Sequence, residues 1–511
     1  MTMELALAAA IASVPLLVLA WLFCELRHRF ETGKLRKIPE GKRLPPGPPG
    51  FPLMGDLTTL LGGLRPQRAF AWSRTYGPVI RVKAGCSENI ILNDLDSIKA
   101  FLSHKDILFR SRTWIFSDAV DIGFARYGGQ PWVDNRRFSV KALRNVGFGK
   151  TAMKEAIAEG CERLVHRIAQ AQGQPIDMAE LLLASASDNV GLFVFGRRYS
   201  FGNLEHSSLH EALREEFSAS RDTSALDSLP AFATTLARWL PFTRAATLLV
   251  AVKDIQHFVS RHVPEHLETF RDGEDRDFMD AYLKKCCEPE ASNSTYTMSS
   301  LVGNAGSIVL AGSNTVSAVL MRLLLLLADN ADTVQARIHR EIDAVVGGER
   351  QPTWEDRHLT PYTVATIWET HRWHPLLPFA VPRRAYQDVV IGEYFVPRDA
   401  TVIANVWGVH HDPEYWNDPE KFDPTRFLNG DGSLAWEKAE RIIPFSVGKR
   451  MCPAANFAAV EVYLCVSSIL QKFIVLPKEG QKVDVNIKDS IMMRPGNHKL
   501  RSIPRVSLQC R

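Results

Sequence analysis

Residues 5–24 are almost unbroken apolar sequence, with Ser13 and Pro15 as the only soft breaks. About twenty such residues suffice to cross a bilayer as a helix. The flank before the run holds Glu4 and no side-chain positive charge, whereas the flank after it holds Arg27, Arg29, Lys34, Arg36, Lys37, Lys42 and Arg43. Basic flanks favour the cytosolic side, so the pattern predicts an uncleaved anchor over 1–25 with the rest of the chain in the cytosol. A cleaved signal carries its positive charge before the apolar run and a small-residue site after it, and a mitochondrial presequence is amphipathic and Arg-rich. Neither description fits. A basic linker over 26–50 closes on Pro45-Pro46-Gly47-Pro48-Pro49-Gly50. Its prolines fix φ and favour a stiff extended path that would set the following body at a fixed angle to the membrane.

From about residue 65 the apolar positions recur at three- and four-residue steps, as over 151–170, 248–272 and 332–346, and predict helices. Strand-like pieces are short: 79–82, 90–92, 389–391 and 401–405. No internal repeat interrupts the pattern. The expectation is a mainly α fold with small β-sheets (α+β), one large helical domain over 51–511. Residues 300–328 are apolar enough to resemble a second membrane span, but Asn304, Ser307, Ser313, Asn314, Thr315 and Ser317 make the first half too polar for hydrocarbon. A helix buried through the centre of the domain fits better.

Composition adds exclusions. The 61 basic and 57 acidic residues leave only +4, too little to argue for nucleic acid. Eight cysteines in 511 residues form neither a disulfide framework nor a zinc spacing, which suits a reducing compartment. Asn293-Ser294-Thr295 matches a glycosylation acceptor but would stay unmodified facing the cytosol.

The stretch with the most chemistry is Pro444-Phe445-Ser446-Val447-Gly448-Lys449-Arg450-Met451-Cys452-Pro453-Ala454, followed by an apolar helical run. A thiolate at the start of a helix receives backbone N–H groups and the positive helix end, which lower its pKa. Gly448 permits a tight turn close to a flat ligand, and Arg450 is a fixed cation for a carboxylate. Upstream, Glu369 and Arg372 stand three apart and can pair on one helix face. Trp132 and Arg136 place N–H donors one turn apart. In Ala311-Gly312-Ser313-Asn314-Thr315, Gly312 removes bulk and the Thr315 hydroxyl can bond the Ala311 carbonyl one turn back.

Phe445, Gly448, Arg450 and Cys452 in this register resemble the haem-ligand loop of the cytochromes P-450, and the other motifs follow in family order over nearly the whole chain. The closest likeness is to animal microsomal members of the drug- and steroid-metabolising kind. The resemblance implies haem b with Cys452 as the axial ligand of its iron. It implies propionate contacts from Trp132, Arg136, Arg112, Arg383 and Arg450, and a structural lock of Glu369, Arg372 and Arg426. It makes Thr315 the residue that assists dioxygen and its protons. Two positions depart from the family pattern. Ala454 stands where Gly is usual. Asn314 stands where Asp or Glu commonly precedes the threonine, and an amide cannot titrate, so proton delivery would lean on water and Thr315.

The resemblance further implies a monooxygenase in the endoplasmic reticulum membrane that inserts one oxygen atom from O2 into an apolar substrate, a xenobiotic, steroid or fatty acid. Electrons would come from NADPH through NADPH–cytochrome P-450 reductase, with cytochrome b5 as an optional second donor. A cationic proximal face of Arg137, Lys141, Arg144 and Lys449 would receive the acidic partner. By family position the substrate pocket would take in the stretch from Trp114 to Val120, Asn304, Val309, Ala311, Leu377, Phe379, Met492 and Met493. Two rival readings remain: a haem-thiolate isomerase or dehydratase acting on a peroxide without reductase, and a non-catalytic haem or sterol binder. Retained Thr315 speaks against the first, while Asn314 speaks for it, and retention of both Thr315 and Cys452 speaks against the second.

Overall fold

The computed structural model describes residues 38–51, 54–111, 122–199, 203–220, 235–237, 239–240, 242–270, 275–288, 295–483 and 499–505. The anchor over 1–25, Arg112, Trp114, Val120, Met492, Met493, Asn293 and Ser294 lie outside these residues. The principal helices are α1 (Pro66–Tyr76), α2 (Leu95–Ser103), α3 (Gly129–Asn145), α4 (Thr151–Ala169), α5 (Met178–Phe195), α6 (Leu204–Ala219), α7 (Arg244–Thr269), α8 (Phe278–Cys286), α9 (Met298–Asp329), α10 (Ala336–Val345), α11 (Pro361–Trp373) and α12 (Ala455–Lys472). The strands are β1 (Val79–Ala84), β2 (Ser87–Leu92), β3 (Phe109–Arg110), β4 (Arg383–Arg384), β5 (Val389–Ile391), β6 (Tyr394–Val396), β7 (Thr401–Ala404), β8 (Phe473–Pro477) and β9 (Leu500–Pro504). The mainly α architecture with small sheets is the one the apolar periodicity predicts.

Helix starts follow side-chain caps. Asp94, Asp177, Asn203, Thr243, Asp277 and Thr297 each accept a backbone N–H from the first turn of α2, α5, α6, α7, α8 and α9. Helix α7 accordingly begins at Arg244, before the expected 248, because Thr243 caps it there. The helix expected over 332–346 opens instead with a π turn, Ala331–Gln335, and becomes α10 only at Ala336. Gln335, fully buried, explains the irregularity: its Nε2 donates to the Leu327 and Val475 carbonyls at 2.9 Å each. Strand β7 ends at Ala404 because the Asn405 side chain turns to cap the next short helix, accepting from Gly408 N at 3.1 Å.

Five strands form one sheet in the order β1-β2-β7-β4-β3, with β2 and β7 parallel and the other pairs antiparallel. Two hairpin-like pairs, β5-β6 and β8-β9, complete the sheets. Strands β3, β4, β6, β8 and β9 went unrecognised in the sequence. The proline-rich stretch runs along the sheet: Arg81 N donates to Pro46 O at 2.8 Å, and Arg43 exchanges backbone hydrogen bonds with Glu393 and Phe395.

Helix α9 runs through the core, mainly against α5, and also meets α6, α7, α8, α11 and α12. Its apolar window is as hydropathic as a membrane span, yet Leu320 to Ala328 are buried by neighbouring helices. The apolar surface it removes from water stabilises the domain by about 25 cal/mol per Å².

Candidate active site

The floor of the site is the loop that leads into α12. Gly448 has φ +74, and a Cβ there would lie 2.7 Å from the Leu102 carbonyl at the end of α2. Glycine is required by this close approach as well as by φ. The turn carries the chain back so that Cys452 N donates to Phe445 O at 2.9 Å and Met451 N to Gly448 O at 3.0 Å. The half-buried Cys452 thiol borders the large cavity of about 760 Å³. Burial raises its pKa, while the Ala454 backbone N–H and the Arg136 cation oppose that rise. Those same groups favour a thiolate.

Four of the arginines that border this cavity come from four parts of the chain: Arg110 from β3, Arg136 from α3, Arg383 from β4 and Arg450 from the cysteine loop. Arg383 donates to Leu102 O at 2.6 Å and Val447 O at 2.9 Å. Arg450 donates to Leu108 O at 2.8 Å, Phe124 O at 3.1 Å and Tyr127 O, and Arg136 to Met451 O at 2.6 Å. Carbonyls orient these cations but do not neutralise them, and Arg136, Arg383 and Arg450 meet no carboxylate among the described residues. Burial lowers the pKa of all four, and mutual repulsion lowers it further at Arg110, Arg383 and Arg450. Trp132 is buried with its Nε1 donor unpartnered and its ring 4.2 Å from the Arg450 guanidinium carbon. An orphan indole donor and a cluster of buried cations are costly unless an anion completes them. A dianionic haem bound in this cavity would supply that charge, so the residues present fit the group the resemblance implies. Arg110 was missed in the sequence, where nothing separates it from neighbouring Arg112; only the pairing of β3 with β4 sets it beside Arg383.

Helix α9 forms the opposite wall. Ala311, midway along a core helix, is nevertheless exposed because it faces the cavity. The Thr315 hydroxyl donates to the Ala311 carbonyl at 2.6 Å. Gly312 also lines the cavity, but a Cβ there would meet Val190 Cγ2 at 2.5 Å, so its missing side chain makes room chiefly for α5. Asn314 is buried, and its Nδ2 donates to Leu213 O at 3.0 Å and to Glu216 Oε2 at 3.1 Å, both on α6. Leu377 lines the cavity.

Three expected pocket residues lie elsewhere. Asn304 is fully buried and ties helices together, accepting from Phe124 N at 2.7 Å and donating to Asn135 Oδ1 and Tyr282 OH. Val309 faces the helical core, and Phe379 packs on the sheet with Ile80, Ile91 and Ile403. Each turns away because its place on the element, not its distance along the chain, sets its direction. Glu216 and His371 are among the cavity residues that went unnoticed. A signal existed for Glu216: it interrupts the apolar face of Leu209, Ala212, Leu213 and Phe217.

Behind the cysteine loop, Arg372 Nε and Nη2 donate to the two Glu369 oxygens at 2.6 and 2.8 Å, with both side chains fully buried. Arg426 reaches Glu369 Oε1 at 3.3 Å, and Asp423 N donates to the same oxygen at 2.9 Å. Arg372 also donates to His410 O at 2.9 Å, so one ion pair braces α11 against the chain that leads to the loop. Phe445 borders the cavity and meets His371 edge-on at 5.9 Å. Arg137, Lys141 and Arg144 on α3, and Lys449 in the loop, are exposed.

A family model described as cytochrome P450 matches residues 45–501. The chain is similar to cytochrome P450 2J1 of Oryctolagus cuniculus, 31% identical over 91% of this chain and 92% of that protein. It is similar to cytochrome P450 2H2 of Gallus gallus at 31% over 90% and 94%, and to cytochrome P450 1A5 of the same species at 29% over 93% and 92%.

Proposed function

The chain belongs to the cytochrome P450 family, and from that premise we propose that Cys452 is the axial thiolate of its haem and Arg136, Arg383, Arg450 and Trp132 are the propionate partners. The protein is a haem-thiolate monooxygenase, an oxidoreductase that takes haem b and draws electrons from NADPH through a reductase. The observation carrying the site assignment is the convergence of one thiol and four arginines, Arg383 and Arg450 buried and Arg110 and Arg136 half-buried, on a single cavity, with the orphan Trp132 indole N–H beside Arg450. A thiolate ligand, when haem is bound, pushes electron density toward iron and so favours cleavage of the O–O bond.

This chain's own residues do the rest. The Cys452 loop holds the sulfur through the Phe445 carbonyl and the turn at Gly448. Arginines set the orientation of the dianion. Thr315, held on Ala311, offers its hydroxyl to the reacting end of the cavity, whose walls are mainly apolar. Those walls, including Leu248, Val252, Leu310 and Leu377, suit an apolar substrate of the xenobiotic, steroid or fatty-acid kind. A membrane anchor over 1–25 would hold the body at the endoplasmic reticulum with the catalytic domain facing the cytosol. The exposed Arg137, Lys141, Arg144 and Lys449 would receive an acidic reductase surface, or cytochrome b5, with binding that weakens as salt rises.

The test is the absorption spectrum of the reduced, carbon-monoxide-bound protein beside a Cys452→Ala variant. The red-shifted Soret band of a thiolate ligand is expected in the parent and absent from the variant. A parent that lacks that band while correctly folded would remove the assignment of Cys452.

A further inference from the structure

Glu216 is the only carboxylate among the described residues lining the cavity. It comes from α6, where three- and four-residue spacing turns it inward with Leu209, Ala212, Leu213 and Phe217, leaving it 5% exposed. Its Oε2 accepts from Asn314 at 3.1 Å, while Oε1 has no hydrogen-bond partner among the described residues. The same Asn314 amide donates to Leu213 O at 3.0 Å, so one side chain of α9 holds the last turns of α6 and the carboxyl together. Thr315 is the next residue in the chain and borders the same cavity. Across the space α5 presents Val190 and Phe193, and α7 presents Leu248 and Val252. No charged side chain among the described residues acts on Glu216. In these surroundings burial pushes its pKa up to about 7, against the opposing Asn314 hydrogen bond.

Building on the monooxygenase reading, we infer that Glu216 is the proton-relaying acid of this site, with Asn314 its positioning residue. The amide at 314 leaves α9 without a titratable group beside Thr315, and α6 brings one to the Asn314 amide, on the cavity that Thr315 also lines. Monooxygenation consumes substrate, dioxygen, two electrons from NADPH through the reductase and two protons, and yields the hydroxylated product and water. Glu216 breaks its O–H bond to pass a proton to water in the cavity beside Thr315. The carboxylate left behind keeps the Asn314 N–H on Oε2, and a proton from bulk water then restores the acid. An acid whose pKa lies near the working pH can perform both halves of that exchange.

The test uses the full-length holoenzyme with its reductase and NADPH, with no substrate added, and measures how consumed dioxygen divides between hydrogen peroxide and water. Starved of protons, Glu216→Gln is expected to raise the peroxide-to-water ratio on the order of tenfold while its carbon-monoxide spectrum stays that of the parent. Adding Asn314→Asp to that variant moves the carboxyl onto α9 and is expected to bring the ratio back toward the parent value. Infrared difference spectra of parent minus Glu216→Gln should show a carboxylic C=O band that titrates near neutral pH. An unchanged ratio in Glu216→Gln overturns the relay. So does a ratio the second substitution fails to lower, because Glu216 would then matter only to the packing of α6. A carboxyl already ionised at about pH 5 overturns it as well. Loss of the thiolate-type spectrum in the parent would instead strike at the Cys452 assignment, so the two failures are separable.

Discussion

At Glu369 two carboxylate oxygens with no access to water accept from Arg372, Arg426 and the Asp423 backbone. Burial pushes the Glu369 pKa up, and Arg372 is the main influence holding the carboxylate charged against it. Removing one partner from a buried pair strands the other charge, which costs about 3–5 kcal/mol. Arg372→Ala should therefore lower the urea midpoint steeply and reduce the haem recovered per chain, whereas replacing an exposed arginine such as Arg137 should leave both unchanged. Recovery of Arg372→Ala with parental stability and haem content would remove the bracing role. The pair itself was legible at three-residue spacing, because a helix puts i and i+3 on one face. Asn314 shows the opposite case. The sequence records that it cannot titrate, and nothing local tells that its amide meets a carboxylate 98 residues earlier.

Among the elements, the cysteine loop depends most on one backbone position. Gly448 sits at φ +74 against the Leu102 carbonyl. A Cβ there brings left-handed strain of about 1–3 kcal/mol, and the contact forces the loop away from α2. Gly448→Ala is expected to lower thermal stability and shift the carbon-monoxide band away from the thiolate position. A variant with parental melting temperature and spectrum would show that the loop has room to move. Helix α9 combines two demands: Leu320 to Ala328 fill the core, while Ala311 and Thr315 open on the cavity. Its existence and length were legible in the long apolar run. Which face looks at the cavity was not, as Asn304 and Val309 show, since every side of a wholly buried helix is apolar or satisfied.

For the whole molecule, titration of buried groups sets the response to acid. Burial lowers the pKa of His206, His339 and His371 to about 4 and of His210 and His411 to about 3, and lowers that of His410 as well. Between those values and the ordinary 6.5, the unfolded chain binds more protons than the folded one, so stability falls as pH drops. Glu216 and Glu461, raised to about 7 and about 8, act the other way and lose their stabilising protonation as pH rises through those values. The histidines outnumber the glutamates. Urea midpoints of the holoenzyme are expected to fall steeply from about pH 6.5 to pH 4 and only mildly as pH rises from about 6.5 to 8. A flat acid limb would mean that these histidines are protonated in the fold.

The sequence alone determined what repeats locally: the long apolar runs, the three-residue Glu–Arg step, and the loop with Phe445, Gly448, Arg450 and Cys452 in register. Those features rest on backbone geometry and on neighbours a few residues apart, so they survive being read in one dimension. Tertiary structure decided everything that requires distant segments to meet. It set Arg110 beside Arg383 through β3 and β4, turned Phe379 into the sheet, filled the space beside Gly312 with Val190, and carried Glu216 from α6 to Asn314. Direction and proximity across helices depend on how each element is rotated in its packing, and the chain encodes that rotation only through the sum of all its contacts.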